Sequence, residues 1–375
     1  MTSMPTIDLV FDGASYKRSQ SAVLHKVQTA IGGRYGMPDT TIVTASGMEA
    51  ITTAIVSHNL AQHKRPVSVI MPSEMYEETE FCIRYVMNTL LAGQHDEASD
   101  IQVVVIGNDE DSCEGFLNAI DRARFQDVLV FAECASNPSG IDFPLSRIRR
   151  GADTITHKRV TFIVDNTWLT SAAYNPFEDG AHIVVASLTK HYSGGRAIAG
   201  AIMFTDKCTY DAAVHYRESM GAHVSDANLE VIAASLAGVN SRVSAAAAVR
   251  EALLKCSWPK DVRLRGSAHP LCTMCTLEFH FPAHVDGNVV LRRALQGCGI
   301  DVRTSYGGPH LRLNDDVYLC TQSVAGSCGI YSYRISIGYE DSFDHVQSCV
   351  LALITHVRFV EQELEATCMQ RASLS

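Results

Sequence analysis

Val160-Thr161-Phe162-Ile163-Val164-Asp165-Asn166-Thr167-Trp168, followed beyond Leu169–Ala181 by His182-Ile183-Val184-Val185-Ala186-Ser187-Leu188-Thr189-Lys190-His191-Tyr192-Ser193-Gly194-Gly195, is the part of this chain whose reading decides the fold. Val160–Val164 and His182–Ala186 are β-branched and apolar runs of strand length, the pattern of parallel strands buried on both faces. At their carboxyl ends stand a carboxylate (Asp165), two hydroxyls (Ser187, Thr189) and an amine (Lys190). Open α/β sheets bind ligands at such strand ends. A lysine there can form a Schiff base with an aldehyde, an aspartate can keep a pyridine nitrogen protonated, and hydroxyls can bond a phosphate. Together they fit a pyridoxal phosphate (PLP) pocket. Each residue alone has a plainer reading, since a lysine after a strand is commonly a solvated loop charge and Asp before Asn-Thr a turn former or helix cap.

Working outward, helix and strand patterns alternate between residues 46 and 205. Met48–Leu60 has helical spacing, Val67–Met71 is a short strand, Glu77–Leu91 is helical, and Ile101–Ile106, Val128–Glu133 and Ile198–Phe204 supply further strands. This alternation predicts a mostly parallel sheet covered by helices. From about residue 207 to 256 the chain turns helical and alanine-rich, including Ser244–Leu254, which reads as a long connecting helix. Strands at Thr276–Phe281 and Tyr333–Ile337 with helices at Val289–Gln296 and Ser342–Glu363 then predict a smaller α+β domain. The expected division is an N-terminal segment (1–45), a large domain with the connecting helix (46–255) and a C-terminal domain (256–375).

Composition narrows the classes. A 46% hydrophobic content is enough for a substantial core. The net charge of −10, with Lys and Arg scattered, argues against nucleic acid as a partner. No uninterrupted apolar run reaches membrane-spanning length, and Met1–Tyr16 lacks the features of a signal peptide, so the expectation is a cytoplasmic protein without a membrane partner. Twelve cysteines in a chain this long fit reduced core thiols, and the single CxxC, Cys272–Cys275, has no second pair to make a zinc site; no metal is expected.

The phosphate end of the pocket has its own signal. Ser46-Gly47-Met48 opens the Met48–Leu60 helix, where unpaired N–H groups and the helix dipole attract anions and glycine permits close approach. A Ser-Gly pair in this place is otherwise simply a cap. Near the C-terminus, Arg334 lies inside an otherwise apolar strand, where a buried guanidinium needs an anion.

These elements, in this order, resemble the Cys/Met-metabolism family of PLP enzymes, which includes cystathionine synthases and lyases, methionine γ-lyase and the homoserine sulfhydrylases. The likeness rests on Val164–Trp168 with Ser187–Gly195, on Ser46-Gly47-Met48, and on Tyr16-Lys17-Arg18, which is similar to the family's Tyr-x-Arg. It rests also on Glu133-Cys134-Ala135-Ser136-Asn137-Pro138 (Glu-Ser-Pro-x-Asn-Pro), on Ser305-Tyr306-Gly307-Gly308, and on Arg334 to Asp341 (Arg-x-Ser-x-Gly-x-Glu-Asp). The resemblance implies the fold type I, aspartate-aminotransferase-like α/β architecture. It implies that Lys190 and Asp165 hold the cofactor aldehyde and ring nitrogen, and that Gly47, Met48, Ser187 and Thr189 bond the phosphate with Ser46 beside them. Tyr76 would stack on the ring and serve as acid or base, and Asn137 would bond the phenolic oxygen. Arg334, assisted by Ser305, would take the substrate α-carboxylate. Tyr16 and Arg18 would reach the phosphate of a neighbouring subunit, implying a homo-oligomer: a dimer with shared active sites, assembled into a tetramer.

Departures from the family bear on the reaction. Glu77 and Glu78 replace a commoner Gly-Gly, and Tyr306 is aromatic; both tilt toward the cystathionine β-lyase branch. Tyr16 stands closer to the start of the sequence than in the family, implying a more open substrate mouth or other segments lining it, and Cys256–Asp301 and Leu311–Ser327 diverge. The resemblance thus implies β- or γ-elimination from a sulfur-containing or otherwise heteroatom-substituted L-amino acid, by way of aldimine and quinonoid or carbanion intermediates. The alternatives are γ-replacement of the cystathionine γ-synthase or sulfhydrylase kind and synthesis of an unusual unsaturated amino acid. An aminotransferase and a non-catalytic scaffold fit the motif set less well.

Overall fold

A computed structural model describes residues 21–63, 65–91, 100–105, 110–137, 139–282, 284–295, 300–302, 306–313, 318–322 and 328–374. In chain order the first part comprises α1 (Ala22–Tyr35), β1 (Thr41–Thr44), α2 (Gly47–Ala61), β2 (Val67–Pro72), α3 (Glu77–Tyr85), β3 (Asp100–Val104) and α4 (Glu110–Arg122). It continues with β4 (Asp127–Glu133), α5 (Leu145–Ala152), β5 (Arg159–Asp165), the single turn α6 (Thr170–Ala173), β6 (Ile183–Ser187), β7 (Gly200–Phe204), α7 (Lys207–Met220), α8 (Asp226–Ser235) and α9 (Val239–Leu254). The second part holds β8 (Val262–Arg265), β9 (Met274–Pro282), α10 (Gly287–Leu295), β10 (Asp301–Val302), β11 (Arg312–Leu313), β12 (Tyr318–Gln322), β13 (Cys328–Ser336) and α11 (Phe343–Leu374).

Seven strands form one sheet in the order β1-β7-β6-β5-β4-β2-β3. The contacts from β3 across to β6 are parallel, and β7 runs antiparallel to both β6 and β1. Because side chains alternate along a strand, the apolar runs divide between two cores. Val128, Val130, Phe162, Val164 and Val184 pack on one face, and Leu129, Phe131, Ile163, Ile183 and Val185 on the other. Helices cover both faces, which is why these strands lack polar alternation. Residues 22–44 supply α1 and the edge strand β1 of this same sheet.

The second sheet, β10-β11-β13-β9-β8 with β12 beside β13, carries a third core with α10 and α11. On β13 the alternation sends Tyr333 and Ile335 into that core and leaves Arg334 and Ser336 on the opposite face.

Two expected helices differ in detail. Glu77–Leu91 is α-helical only to Tyr85 and widens into a π-helical turn over Val86–Leu91. Asp226–Leu254 stays helical through α8, a short 3-10 turn and α9, and is long and apolar enough by length and composition to cross a membrane. The run-by-run reading missed this because Glu230, Arg242 and Arg250 interrupt it. Its apolar residues are used internally: Leu229, Ile232, Val239 and Val243 join the first core, Ala246 and Leu253 the third. Arg250 is buried, donating to the carbonyls of Met274 and Ser267.

Candidate active site

Three neighbouring parallel strands each end in a polar residue after an apolar run: Glu133 on β4, Asp165 on β5 and Ser187 on β6. All three line one cleft with Ser46, Gly47, Met48, Tyr76, Asn137, Thr189, Lys190 and Arg334. Where the chain leaves β5, the Asp165 carboxylate accepts the Thr167 N–H at 2.8 Å and the Thr167 hydroxyl, a local turn that Asp-x-Thr favours. The Thr167 hydroxyl in turn accepts the Ser187 N–H at 2.8 Å, so one side chain ties the ends of β5 and β6 together. Burial pushes Asp165 up to about 6, while the two Thr167 bonds and the charge of Lys190 oppose the rise. Asp165 is therefore largely ionised at neutral pH, as an anion meant to hold a cation must be.

Lys190 follows β6 in a tight turn. Gly307, at φ 77°, lies so close that a Cβ there would come within 2.6 Å of the Lys190 carbonyl carbon. Its amine lies 5.1 Å from the centre of the Tyr306 ring. Burial, then the guanidinium groups of Arg334 and Arg312, pull the amine down to about 8, and Glu78 and Asp165 only partly offset them. A lysine with an accessible neutral form is what attack on an aldehyde requires.

Ser46 caps α2, its hydroxyl accepting the Glu49 N–H at 3.1 Å, and its carbonyl takes the Ala50 N–H. The N–H groups of Gly47 and Met48, two cleft-lining residues at the N-terminus of α2, have no partner among the described residues, a site suited to an anion. The helix end is pressed against β6 and β7. A Cβ at Gly47 would lie 2.9 Å from the Cβ of Ser187, and one at Gly200 would lie 2.2 Å from the Ser46 carbonyl oxygen. Thr189 also lines the cleft, but its hydroxyl is bonded to the backbone of Ala199 on both sides, at 3.3 Å to the carbonyl and 3.2 Å from the N–H. The phosphate role expected of that hydroxyl would require it to exchange the Ala199 carbonyl for the ligand.

Tyr76, which also lines the cleft, is the residue before α3, and its backbone N–H donates to Glu133 Oε1 at 2.7 Å. Burial, followed by the charge of Glu78 and a hydrogen bond to it, pushes the Tyr76 phenol up to about 12. Glu77 and Glu78 both lie exposed in the first turn of α3, where the helix dipole favours them. Glu78 acts on two residues of the cleft, Tyr76 and Lys190. Arg334, 3% exposed, donates to Asn137 Oδ1 at 2.6 Å and sits against the rings of Tyr306 (5.4 Å) and Trp168 (5.9 Å). The oxygen of Asn137 is thus used to orient Arg334, which leaves its NH₂ as the group able to serve a cofactor oxygen.

Ser305, Tyr16 and Arg18 lie outside the described residues. Five residues of the cleft were not singled out by sequence reasoning for a role: Ile51, Thr167, Glu133, Trp168 and Tyr306. Glu133 carried the same signal that marks Arg334, a charged residue inside an apolar run. Trp168 gave none, since it reads equally well as core.

The donor set fits PLP. It supplies a buried carboxylate for a ring cation, a neutralisable amine for an aldehyde, and for the phosphate two N–H groups without a partner among the described residues, at a glycine whose added Cβ would press on the Ser187 side chain. Comparisons with known proteins agree. Residues 9–254 match the model of the Cys/Met metabolism PLP-dependent enzyme family. A cystathionine beta-lyase from Staphylococcus haemolyticus is 28% identical over 52% of this chain and 43% of its own length, so the match spans under half of that relative. A protein described as a putative cystathionine gamma-lyase from Streptomyces coelicolor is 26% identical over 90% of this chain and 83% of its own. The apo crystal structure of a methionine gamma lyase from Micromonospora echinospora is 20% identical and superposes with a TM-score of 0.69, covering 90% of this chain and 88% of that one, which establishes the shared fold. The chain belongs to the family of Cys/Met metabolism PLP-dependent enzymes.

Proposed function

We propose that this protein is a carbon–heteroatom lyase that eliminates a β or γ substituent from a sulfur-containing or similarly substituted L-amino acid. The observation that carries the reading is the convergence on one cleft of Lys190, Asp165 and the buried guanidinium of Arg334. PLP, when bound, supplies an electron sink for negative charge at the substrate's α-carbon. Asp165 keeps the ring nitrogen protonated, and Thr167 holds that carboxylate in place. Arg334, backed by Asn137 and flanked by two aromatic faces, binds the α-carboxylate as a planar fork. That anchor fixes the α-carbon relative to Lys190, whose amine removes the α-proton and returns it at a neighbouring atom. The Tyr76 phenol, kept protonated beside Glu78, is suited to donate a proton to the departing heteroatom. The work of the protein is thus orientation and proton transfer. A panel of cystathionine, methionine and halogenated amino acids tests this reading: release of a keto acid and ammonia without an added nucleophile is expected. Product formation only when a thiol is supplied would replace elimination with γ-replacement, and keto-acid-dependent amino transfer would replace it with transamination.

A further inference from the structure

Glu133 is 5% exposed, ends β4 in direct register with Asp165 at the end of β5, and lines the cleft. One of its oxygens accepts the Tyr76 N–H at 2.7 Å. The other, Oε2, is buried and has no hydrogen-bond partner among the described residues. A lone buried carboxylate oxygen is costly, and two carboxylates side by side in a dry site do not both ionise. The groups that face it are the Asp165 carboxyl on β5, the Tyr76 segment before α3, the buried Tyr306 and the Arg334 guanidinium on β13. Arg334 is the one positive charge among these; its charge and the Tyr76 N–H bond favour the ionised form of Glu133 but are outweighed by burial and the neighbouring Asp165.

We propose that Glu133 works as a neutral carboxylic acid, with Oε1 fixing the segment that carries Tyr76 and the Oε2 hydroxyl donating a hydrogen bond to bound PLP. Burial first, then the charge of Asp165, push Glu133 up to about 8, which agrees with this assignment. Asp165, lower at about 6 and bonded by Thr167, is the member of the pair that carries the charge. Glu133 is a positioning residue in this scheme. It holds Tyr76 against the cofactor ring while leaving a single negative charge at the strand ends.

A glutamine reproduces both functions of a neutral acid, an acceptor for the Tyr76 N–H and a donor into the cleft, so the decisive variant is Glu133→Gln. Its holoenzyme should retain PLP on dialysis with an affinity within about threefold of wild type and an unchanged visible absorption band. Glu133→Leu should lose about tenfold or more and shift that band as Tyr76 loses its anchor (about 1.4 kcal/mol per factor of ten). Infrared spectra of wild-type holoenzyme labelled with carbon-13 glutamate should contain an isotope-shifted C=O stretch of a protonated carboxyl at neutral pH that is missing from Glu133→Gln. A Gln variant as impaired as the Leu variant, a Leu variant that binds PLP as wild type does, or a wild-type spectrum lacking that band would each overturn the proposal. Should the Leu variant not fold, the Gln variant and the infrared band decide it.

Discussion

Lys190 sets the chemistry of the site because its amine has been moved to where water does not keep it fully protonated. Its ordinary value lies above 10, and burial with Arg334 and Arg312 brings it to about 8. The protonated amine cannot attack an aldehyde, so apoenzyme should capture added PLP faster as pH rises, with the increase centred near 8, read from growth of the visible band in stopped flow. A rate that climbs only above pH 10 would mean a solvated lysine. Lys190→Ala should give a protein on which that band does not form. Arg334 acts on the substrate side, and its replacement tests the carboxylate anchor. Arg334→Lys keeps the charge but loses the fork and the oriented bond to Asn137, a loss of about 1.5–3 kcal/mol, or roughly 10–100-fold in KM with a smaller change in kcat. Equal falls in kcat and kcat/KM would show that Arg334 acts only in the transition state. Arg334 was legible in the sequence because a charge inside an apolar strand demands an explanation, and Lys190 because it stands with Asp165, Ser187 and Thr189 at neighbouring strand ends in a run that resembles the family's. Thr167 was not, because the bond that gives it a place between the strands, from the Ser187 N–H to its hydroxyl, depends on β6 lying beside β5, which no local pattern states.

The elements place these residues by how closely they approach one another. The N-terminus of α2 reaches the cleft only because Gly200 at the start of β7 leaves room for the Ser46 carbonyl and Gly47 for Ser187. Gly200→Ala would put a methyl 2.2 Å from that carbonyl oxygen, a backbone atom that cannot swing aside. Overpacking of this kind costs about 1–3 kcal/mol. The variant should melt a few degrees lower and bind PLP at least about tenfold more weakly, measured by calorimetry and by equilibrium dialysis; wild-type affinity would show that the Gly47 and Met48 N–H groups are not the phosphate site. The sheet itself was readable from the unbroken runs of β4, β5 and β6, since strands buried on both faces announce themselves. Four-residue β1 and helix α1 were not, because β1 gains its place as an edge strand by pairing with β7, a partner more than 150 residues later. The π-helical turn after α3 was equally hidden, as its residues keep an ordinary helical pattern.

At the scale of the whole molecule, the large sheet supplies Glu133, Asp165, Ser187 and Lys190, and the second sheet supplies Arg334, so the cleft forms where two separately cored sheets meet. The cofactor's phosphate would find N–H donors at α2 but no guanidinium there among the described cleft residues. Arg18, in the Tyr16-Lys17-Arg18 element outside the described residues, is the group proposed to supply it from a neighbouring subunit, and that arrangement has a consequence no single-chain site shares. Arg18→Ala and Lys190→Ala should each be poorly active alone. In a mixture refolded or exchanged together, a hybrid dimer pairs an intact Lys190 on one chain with an intact Arg18 on the other and so rebuilds one of its two sites. With random assortment about half the dimers are hybrid, and the mixture should recover up to about a quarter of wild-type specific activity. Activity no greater than the average of the two variants would place Arg18 and Lys190 in the same chain's site, or remove Arg18 from the site altogether. Wild-type PLP affinity in Arg18→Ala would select the second of these.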